Sequence, residues 1–497
     1  MKIRIVRFQM SNNENVLEKT YLTKMNKFSF AVSGFGQNLI IGFVSSYILF
    51  FYTDVFLLGA APAGILVMTA RIWDAMMDPI MGTVVDKTRS KWGKMRPYIL
   101  FISVPLAVST ATLFIIPSGL GGTGKIVYAY ITYILWGMIY TVCDVPFWGL
   151  ASAMTPNPKE RISFISTSRL VHSIRGALPM VIAPLFISAL GNKNGYTAAG
   201  VTIGIVGGAL FLLAFFGTEE RSKTKDKAPT LRECFGLLKI NQPLRCVVAT
   251  NLIGFMRAVP IVAGMYIATY VLGPQALSFF GKSFTLGGAT LNTVLIAGWG
   301  VSGYLGMIFT PKICSRFNFR QIYYISSVVG VVACVGLFFV PKTLLTIFLC
   351  MLIVGLPYGV ISNINYSMFA DSVDYVEWKT GKRAEGVTIS FQTLMNKTMT
   401  AFQSGAVSAV LIFAKFVPPQ KIAGVLVVQH QNPHTITGMI LLITLLPALG
   451  WAIGVIPMKY YTFIGDERIR AHKEIVRHRQ EVQDREVLDA EIIDTSI

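Results

Sequence analysis

The stretch Arg71-Ile-Trp-Asp-Ala-Met-Met-Asp-Pro-Ile-Met-Gly82 decides how this chain is organised. It closes a long apolar run and leads into the basic segment 86–96. Asp74 and Asp78 are four residues apart, so on a helix they lie one turn apart on the same face. Carboxylates are costly in a lipid-compatible helix, and an intramembrane ionisable group indicates function. The pair therefore predicts a site for a coupling cation, and a metal site only if that cation is sodium.

The composition excludes a soluble protein of this length. Of 497 residues, 53% are hydrophobic and 14% are charged, whereas soluble domains average about 25% charged residues. The net charge of +19 does not indicate a nucleic-acid partner, because Lys and Arg lie mainly between apolar runs, as in membrane proteins. The sequence has no GxxxxGK[ST] phosphate loop and no paired-cysteine motif. We therefore predict a membrane protein that is not an enzyme and uses no cofactor beyond the coupling ion.

Apolar runs close to the ~20 residues needed to cross a bilayer recur roughly twelve times. The connections after even-numbered runs are the basic ones, so the positive-inside rule places both termini in the cytoplasm of a multi-pass cytoplasmic-membrane protein. The predicted spans are 28–52, 60–82, 97–116, 127–150, 168–190, 199–217, 245–272, 290–311, 322–340, 343–370, 387–414 and 437–457.

The longest polar interruption divides the chain into two halves of six spans each. This layout is typical of two-lobed secondary transporters, whose substrate site lies at mid-membrane between the lobes. We predict an all-α polytopic membrane protein with twelve transmembrane helices, acting as a monomer in the lipid bilayer. Its predicted parts are a cytoplasmic leader 1–27, an N-terminal lobe 28–217, a cytoplasmic loop 218–244, a C-terminal lobe 245–457 and a charged cytoplasmic tail 458–497.

Further polar residues in apolar runs predict a sugar site. Asp144 and Trp148 are four residues apart in the fourth span, so a carboxylate and an indole share a helix face. That combination suits sugar hydroxyls and the C–H face of a sugar ring. A helix–helix ion pair and an interfacial tryptophan are the structural alternatives. Gln37 and Asn38 in the first span could bind sugar hydroxyls or merely bridge helices.

Two basic residues lie far from either end of their spans. Arg257 is in the middle of the seventh span and Lys397 is well inside the eleventh. Each needs an interior anion or water. We expect them to pair across the central cavity with the acidic residues of the early spans, Asp74, Asp78 and Asp144. Static hydrogen bonding to backbone carbonyls is the alternative for Arg257.

Three segments carry a resemblance to a known family: 74–97, 140–148 and, most specifically, 370–386, Ala-Asp-Ser-Val-Asp-Tyr-Val-Glu-Trp-Lys-Thr-Gly-Lys-Arg-Ala-Glu-Gly. They resemble the glycoside–pentoside–hexuronide:cation symporters, the melibiose-permease-like branch of the major facilitator superfamily. The resemblance covers 25–460 in collinear order. It implies the major facilitator fold and import of a sugar with H⁺, Na⁺ or Li⁺.

The same resemblance implies roles for individual residues. The residues that match cation ligands are Asp74, Asp78 and Thr141, and Lys397 matches a lysine near both the cation and the sugar. The residues that match sugar-binding groups are Asp144, Trp148 and Arg169. The remaining candidates for the substrate site are Gln37, Asn38, Arg257 and Thr393.

Two departures from the family pattern narrow the prediction. Met77 stands where sodium-using relatives have an asparagine, and a thioether is a poor ligand for a hard cation. This favours H⁺ over Na⁺. Gln37 and Asn38 replace a Lys-Asp pair that serves galactoside recognition, which argues against strict α-galactoside specificity.

The predicted mechanism is ordered symport. Asp74 and Asp78 repel each other in a low dielectric, so one proton or sodium ion binds first and neutralises the pair. The sugar then binds, and the loaded cavity closes on one side of the membrane and opens on the other. A carrier of an anionic or non-sugar solute, such as a hexuronide or a lysolipid, is one alternative. A sugar sensor that signals through the tail 466–497 is another. The sequence does not identify the sugar or its glycosidic linkage.

Overall fold

The computed structural model describes residues 20–155, 160, 164, 168, 178–221, 236, 238–279, 282–381, 385–422, 425–471, 473–475 and 477. Nearly all of them are helical, and the exceptions are short connections and two β-hairpins. The predicted all-α class is confirmed. Arg169 lies outside the described residues, and so do most of the predicted inter-lobe loop and the end of the tail.

The N-terminal half contains five helices in the described part of the chain. A capping box formed by Thr23 and Asn26 starts α1, and the chain turns inside α5 at Gly191, whose φ of 75° favours glycine. α5 therefore holds the sixth predicted span together with the described end of the fifth. The helices are α1 Lys24–Phe50, which continues as a π-helical turn Phe51–Val55, α2 Ala60–Lys87, α3 Arg96–Leu113, α4 Gly122–Ala153 and α5 Leu178–Gly217.

The seventh predicted span is interrupted in the middle. Its parts are α6 Gln242–Ile253, a 3₁₀ turn Gly254–Ala258, α7 Val259–Tyr266 and a π-helical turn Ile267–Leu272. Pro260 has no N–H to donate to a carbonyl in the preceding turn, which favours a break in the helix just before it. The break places Arg257 in the 3₁₀ turn, close to the middle of the bundle.

The rest of the C-terminal half consists of long helices and two hairpins. β1 pairs antiparallel with β2, and β3 pairs antiparallel with β4. The sequence interpretation included neither hairpin. The elements are β1 Gln275–Phe279, β2 Lys282–Leu286, α8 Gly288–Cys314, α9 Phe319–Phe339, α10 Leu344–Thr380, α11 Glu385–Phe413, β3 Gln420–Ile422, β4 Val425–Val427, α12 Pro433–Ile443, α13 Leu445–Gly454 and a final 3₁₀ turn Ile456–Tyr460.

Glycines let helices within each half approach closely. A Cβ on Gly36 of α1 would lie 2.4 Å from the carbonyl oxygen of Gly207 in α5. A Cβ on Gly359 of α10 would lie 1.9 Å from the carbonyl oxygen of Gly303 in α8. Small residues at such contacts are the usual way in which membrane helices pack tightly.

Within the described residues, nine helical segments are long and apolar enough to cross a membrane. The helices α2 and α11, of 28 and 29 residues, are long enough to cross a membrane but are not among these nine segments. These two helices carry Asp74, Asp78 and Lys397, whose charges lower their hydropathy. The count of twelve spans stays a prediction. One of the nine segments, Ile182–Gly217, contains the turn at Gly191, and much of the fifth predicted span lies outside the described residues.

Candidate functional site

The centre of the bundle holds an ion cluster that joins the two halves of the molecule. Lys397 of α11 lies 3.2 Å from Asp74 Oδ2 and 2.7 Å from Asp78 Oδ1, both on α2. Its Nζ is also 3.5 Å from the main-chain oxygen of Asp74. The four-residue spacing brings both carboxylates to one ammonium, as predicted. We call these three residues the central cluster.

α4 supports the central cluster from the N-terminal side. The Thr141 hydroxyl donates a hydrogen bond to Asp74 Oδ1, and both residues are buried. One turn further on, Asp144 accepts a hydrogen bond of 2.6 Å from Gln37 Nε2 of α1. Asp144 is near enough to Lys397 for their charges to interact. Two carboxylates of the N-terminal half therefore contact a single lysine of the C-terminal half, and a third acid lies in their neighbourhood.

The remaining predicted residues of this region differ in their surroundings. Trp148 is half-buried, and its ring makes edge contacts with Phe30 and Phe147 at centroid distances of 6.3 and 5.8 Å. Asn38 donates to the carbonyl of Gly34 in its own helix at 2.7 Å. Thr393 is half-buried on α11, four residues before Lys397. These contacts position Trp148 and leave the roles of Asn38 and Thr393 as predictions.

Arg257 is not part of the central cluster. It is only 4% exposed, and its guanidinium donates hydrogen bonds to the carbonyls of Gly254 and Thr250. The expectation that it pairs with the acidic residues of the early spans is wrong, and the alternative of backbone pairing is correct. The physical reason is the 3₁₀ turn Gly254–Ala258, which places the Arg257 side chain beside the carbonyls of Gly254 and Thr250 at the end of α6.

A second junction between the halves, which sequence reasoning missed, lies at the end of the bundle where α1 ends. We call this end the outer end, because the positive-inside rule predicts that it faces outside. Asp54 is 4% exposed and accepts hydrogen bonds from Thr53 and from Tyr270 of the opposite half. Thr53 Oγ1 is 2.7 Å from the Tyr266 hydroxyl. An acid at the end of an apolar run was the signal that could have found this junction.

Aromatic rings and a close helix contact complete the outer junction. The rings of Phe50 and Tyr266 meet at a centroid distance of 5.1 Å. A Cβ on Gly64 of α2 would lie 2.2 Å from the side chain of Ser408 on α11. The two halves are therefore in tight contact at the outer end.

The oxygens around Asp74 could hold a small cation. Asp74, Asp78 and Thr141 offer the hard donors that a proton or an alkali cation prefers. In the described part of the chain, no group of three or more His, Cys, Asp or Glu side chains could hold a metal ion together.

The chain is similar to known transporters over most of its length. The family model for MFS/sugar transport proteins matches residues 29–463. The symporter YnaJ of Bacillus subtilis (strain 168) is 30% identical over 475 residues, which cover 94% of this chain and 96% of YnaJ. The isoprimeverose transporter of Lactiplantibacillus pentosus is 28% identical and covers 90% of each chain.

The fold is also similar to solved structures of distant sequence. The crystal structure of the nucleoside transporter NupG has a TM-score of 0.58 at 11% identity, over 89% of this chain and 100% of the NupG chain. This likeness confirms the major facilitator fold that the sequence predicted.

Proposed function

We propose, since the chain belongs to the MFS/sugar transport family, that it imports a sugar or glycoside together with a monovalent cation by alternating access. The family consists of membrane transporters, and the isoprimeverose transporter is a relative that covers nearly the whole chain. The substrate is accordingly a sugar or glycoside, taken up across the membrane in which the helices lie.

The observation that carries the proposal is the contact of Lys397 with both Asp74 and Asp78. The two partners belong to different halves, so the contact must change when the halves rock against each other. A cation that binds the carboxylates weakens their hold on the ammonium. Cation binding is thereby coupled to the relative position of the two halves, which is what symport requires.

The proposed cation is a proton, with sodium as the alternative. Met77 is half-buried between the two aspartates in sequence and brings a thioether where sodium prefers an oxygen. A proton needs only one carboxylate oxygen. Thr141 then orients Asp74 in either case.

The proposed sugar site adjoins the cation site. Asp144 accepts from sugar hydroxyls once Gln37 turns away, and Trp148 offers its ring face. The sugar then binds close to Lys397, so its binding and cation binding affect each other reciprocally. The further members of the proposed site are Asn38, Arg169, Thr393 and Arg257.

The test is uptake of a panel of labelled glycosides into proteoliposomes, with proton and sodium gradients imposed separately. We expect accumulation to follow the proton gradient and to disappear in Asp74→Asn and in Asp78→Asn, while exchange without a gradient persists. Glu219→Gln, which changes a surface carboxylate that is 64% exposed, is the matched control. Gradient-driven accumulation that survives both aspartate substitutions would falsify the coupling site.

A further inference from the structure

The outer junction contains a buried acid that has no basic partner among the described residues. Asp54 is 4% exposed, and its carboxyl oxygens contact the hydroxyls of Thr53 and Tyr270. The ion pairs of the described chain do not include it. A buried carboxylate without a positive charge is costly, because hydroxyl dipoles replace its lost hydration only in part. A bound proton removes that cost.

The groups that face Asp54 from neighbouring elements are neutral phenols. Tyr266 and Tyr270 belong to the seventh span, and Tyr196 of α5 is fully buried and close enough to interact with a charge on Asp54. The basic side chain shown in contact with this end of α1 is Lys125 of α4. Its ammonium donates to the main-chain carbonyl two residues after Asp54, at 3.3 Å, and therefore does not neutralise the acid.

The Thr53 hydroxyl can accept a hydrogen from a protonated Asp54. Its oxygen lies 3.2 Å from the main-chain carbonyls of Leu49 and Phe50, so its single hydrogen can go to either of them. The oxygen can then accept from the carboxyl, and it also lies 2.7 Å from the hydroxyl of Tyr266. A protonated acid therefore finds its acceptor already in place.

The acid and its partner from the opposite half lie on two π-helical turns that meet across the junction. Phe51–Val55 carries Asp54, and Ile267–Leu272 carries Tyr270. These are the two π-helical turns of the described part of the chain, and such turns are frequent at functional sites. The hydrogen bond between them must break when the halves separate at the outer end. Opening therefore exposes the carboxyl to water.

We propose that Asp54 binds a proton in the closed outer junction and releases it to the outside when the junction opens. This proton site is separate from the central cluster and goes beyond the proposed function, because it does not depend on which ion is coupled. The proton comes from the outside solution and returns to it, so it is not transported. An acidic outside solution thus favours closure of the outer end, and an alkaline one favours opening.

The experiment measures spin-label distances between the outer ends of α1 and α7 in the whole protein in nanodiscs, from about pH 5 to about pH 8. An exposed aspartate is ionised above about pH 4. Over the measured range the open form therefore lacks a proton that the closed form holds. We expect the ratio of open to closed molecules to rise by up to about tenfold per pH unit.

Asp54→Asn should keep the outer end closed and remove this pH dependence, because the amide stays neutral and can still bond to Thr53 and Tyr270. Glu219→Gln, which changes a carboxylate that is 64% exposed, is the matched control and should retain the dependence. The double variant Asp74→Asn and Asp78→Asn should retain it as well, because its central pair cannot titrate. That double variant decides even if Asp54→Asn does not fold.

An open-to-closed ratio that does not change with pH overturns the inference, and so does a pH dependence that is the same in Asp54→Asn as in the unaltered protein. An outer end that opens at low pH in Asp54→Asn overturns it too, because the negative charge would then hold the junction. These outcomes leave the proposed symport standing. Absence of cation-driven uptake with the pH dependence intact overturns the symport and leaves the proton site.

Discussion

The two junctions between the halves of this molecule are built from different interactions. The central cluster joins α2 to α11 through an ammonium and two carboxylates. The outer junction uses one buried acid, hydroxyl groups and aromatic rings. Among the described residues of the two junctions, only the first pairs opposite charges. Under the proposed function, we therefore expect the central cluster to respond to the coupling ion and the outer junction to act as a seal.

The largest effect is expected when Lys397 is removed from the central cluster. Lys397→Met leaves the buried Asp74 and the partly buried Asp78 without their cation, and removing one partner of a buried ion pair typically costs about 3–5 kcal/mol. We expect gradient-driven accumulation in proteoliposomes to be lost. Lys459→Met, at an exposed position near the end of the described chain, is the matched control. Full accumulation in Lys397→Met would mean that the central cluster has no part in coupling.

The outer junction can be broken by adding bulk. In Gly64→Val the new Cβ would meet Ser408 at 2.2 Å, and overpacking of this kind costs about 1–3 kcal/mol. We expect the outer end to remain open, so that sugar binding persists while the initial rate of uptake falls. Gly137→Val is the control, because a Cβ there meets nothing within 4 Å. Adding Ser408→Gly to Gly64→Val should restore uptake if the clash is the cause.

A milder change tests the hydrogen bonds of the same junction. Tyr270→Phe removes the hydroxyl that donates to Asp54 and should shift the equilibrium toward the outward-open state by about 1 kcal/mol, roughly fivefold. Spin-label distances between the outer ends of α1 and α7 measure that shift. Tyr460→Phe is the control, since Tyr460 is 64% exposed. Unchanged distances in Tyr270→Phe would show that this hydrogen bond does not hold the outer end closed, and that the aromatic and glycine contacts do.

The smallest effect is expected far from both junctions, at Glu160. Burial opposes ionisation of this carboxyl, but hydrogen bonds from Thr155, Leu22 and Tyr21 outweigh it and lower the pKa of Glu160. A carboxyl whose pKa is lowered by folding stabilises the fold above its unfolded pKa, and this contribution disappears as the pH falls through the lowered value. The protection factors of the Tyr21 and Leu22 amides against hydrogen exchange should therefore fall below pH 4.5, the ordinary pKa of this carboxyl.

In Glu160→Gln the same protection factors should be lower already at neutral pH and should vary less with pH. Uptake driven by either gradient should stay unchanged, because neither junction includes Glu160. A pH dependence of amide exchange that is identical in the two proteins would show that the carboxyl does not hold the segment.

Sequence patterns predicted the central cluster better than the rest of the molecule. The spacing of Asp74 and Asp78 fixes their common face, and a lysine deep in an apolar run needs an anion wherever it lies. The same reasoning predicted an anion beside Arg257. This side chain instead donates to backbone carbonyls, because its helix is interrupted at that point. Pro260 marks where the helix is weakened, but charge placement alone does not show toward which groups the Arg257 side chain then turns.

The outer junction could not be predicted because its contacts join residues more than 200 positions apart. The bonds from Asp54 to Tyr270 and from Thr53 to Tyr266 depend on how the two halves meet. An acid near the end of a span is also compatible with simple exposure at the membrane surface. Arg169 remains a prediction from the family resemblance.

The central cluster also has a consequence for the electrical behaviour of the proposed carrier. Two carboxylates and one ammonium sum to one negative charge, and a bound monovalent cation brings that sum to zero. We therefore expect voltage to act less on the loaded step with a neutral sugar than on the return of the empty carrier. A full elementary charge crossing 100 mV corresponds to about 2.3 kcal/mol. An inside-negative potential would then drive the empty site back toward the outside, where the next cation binds.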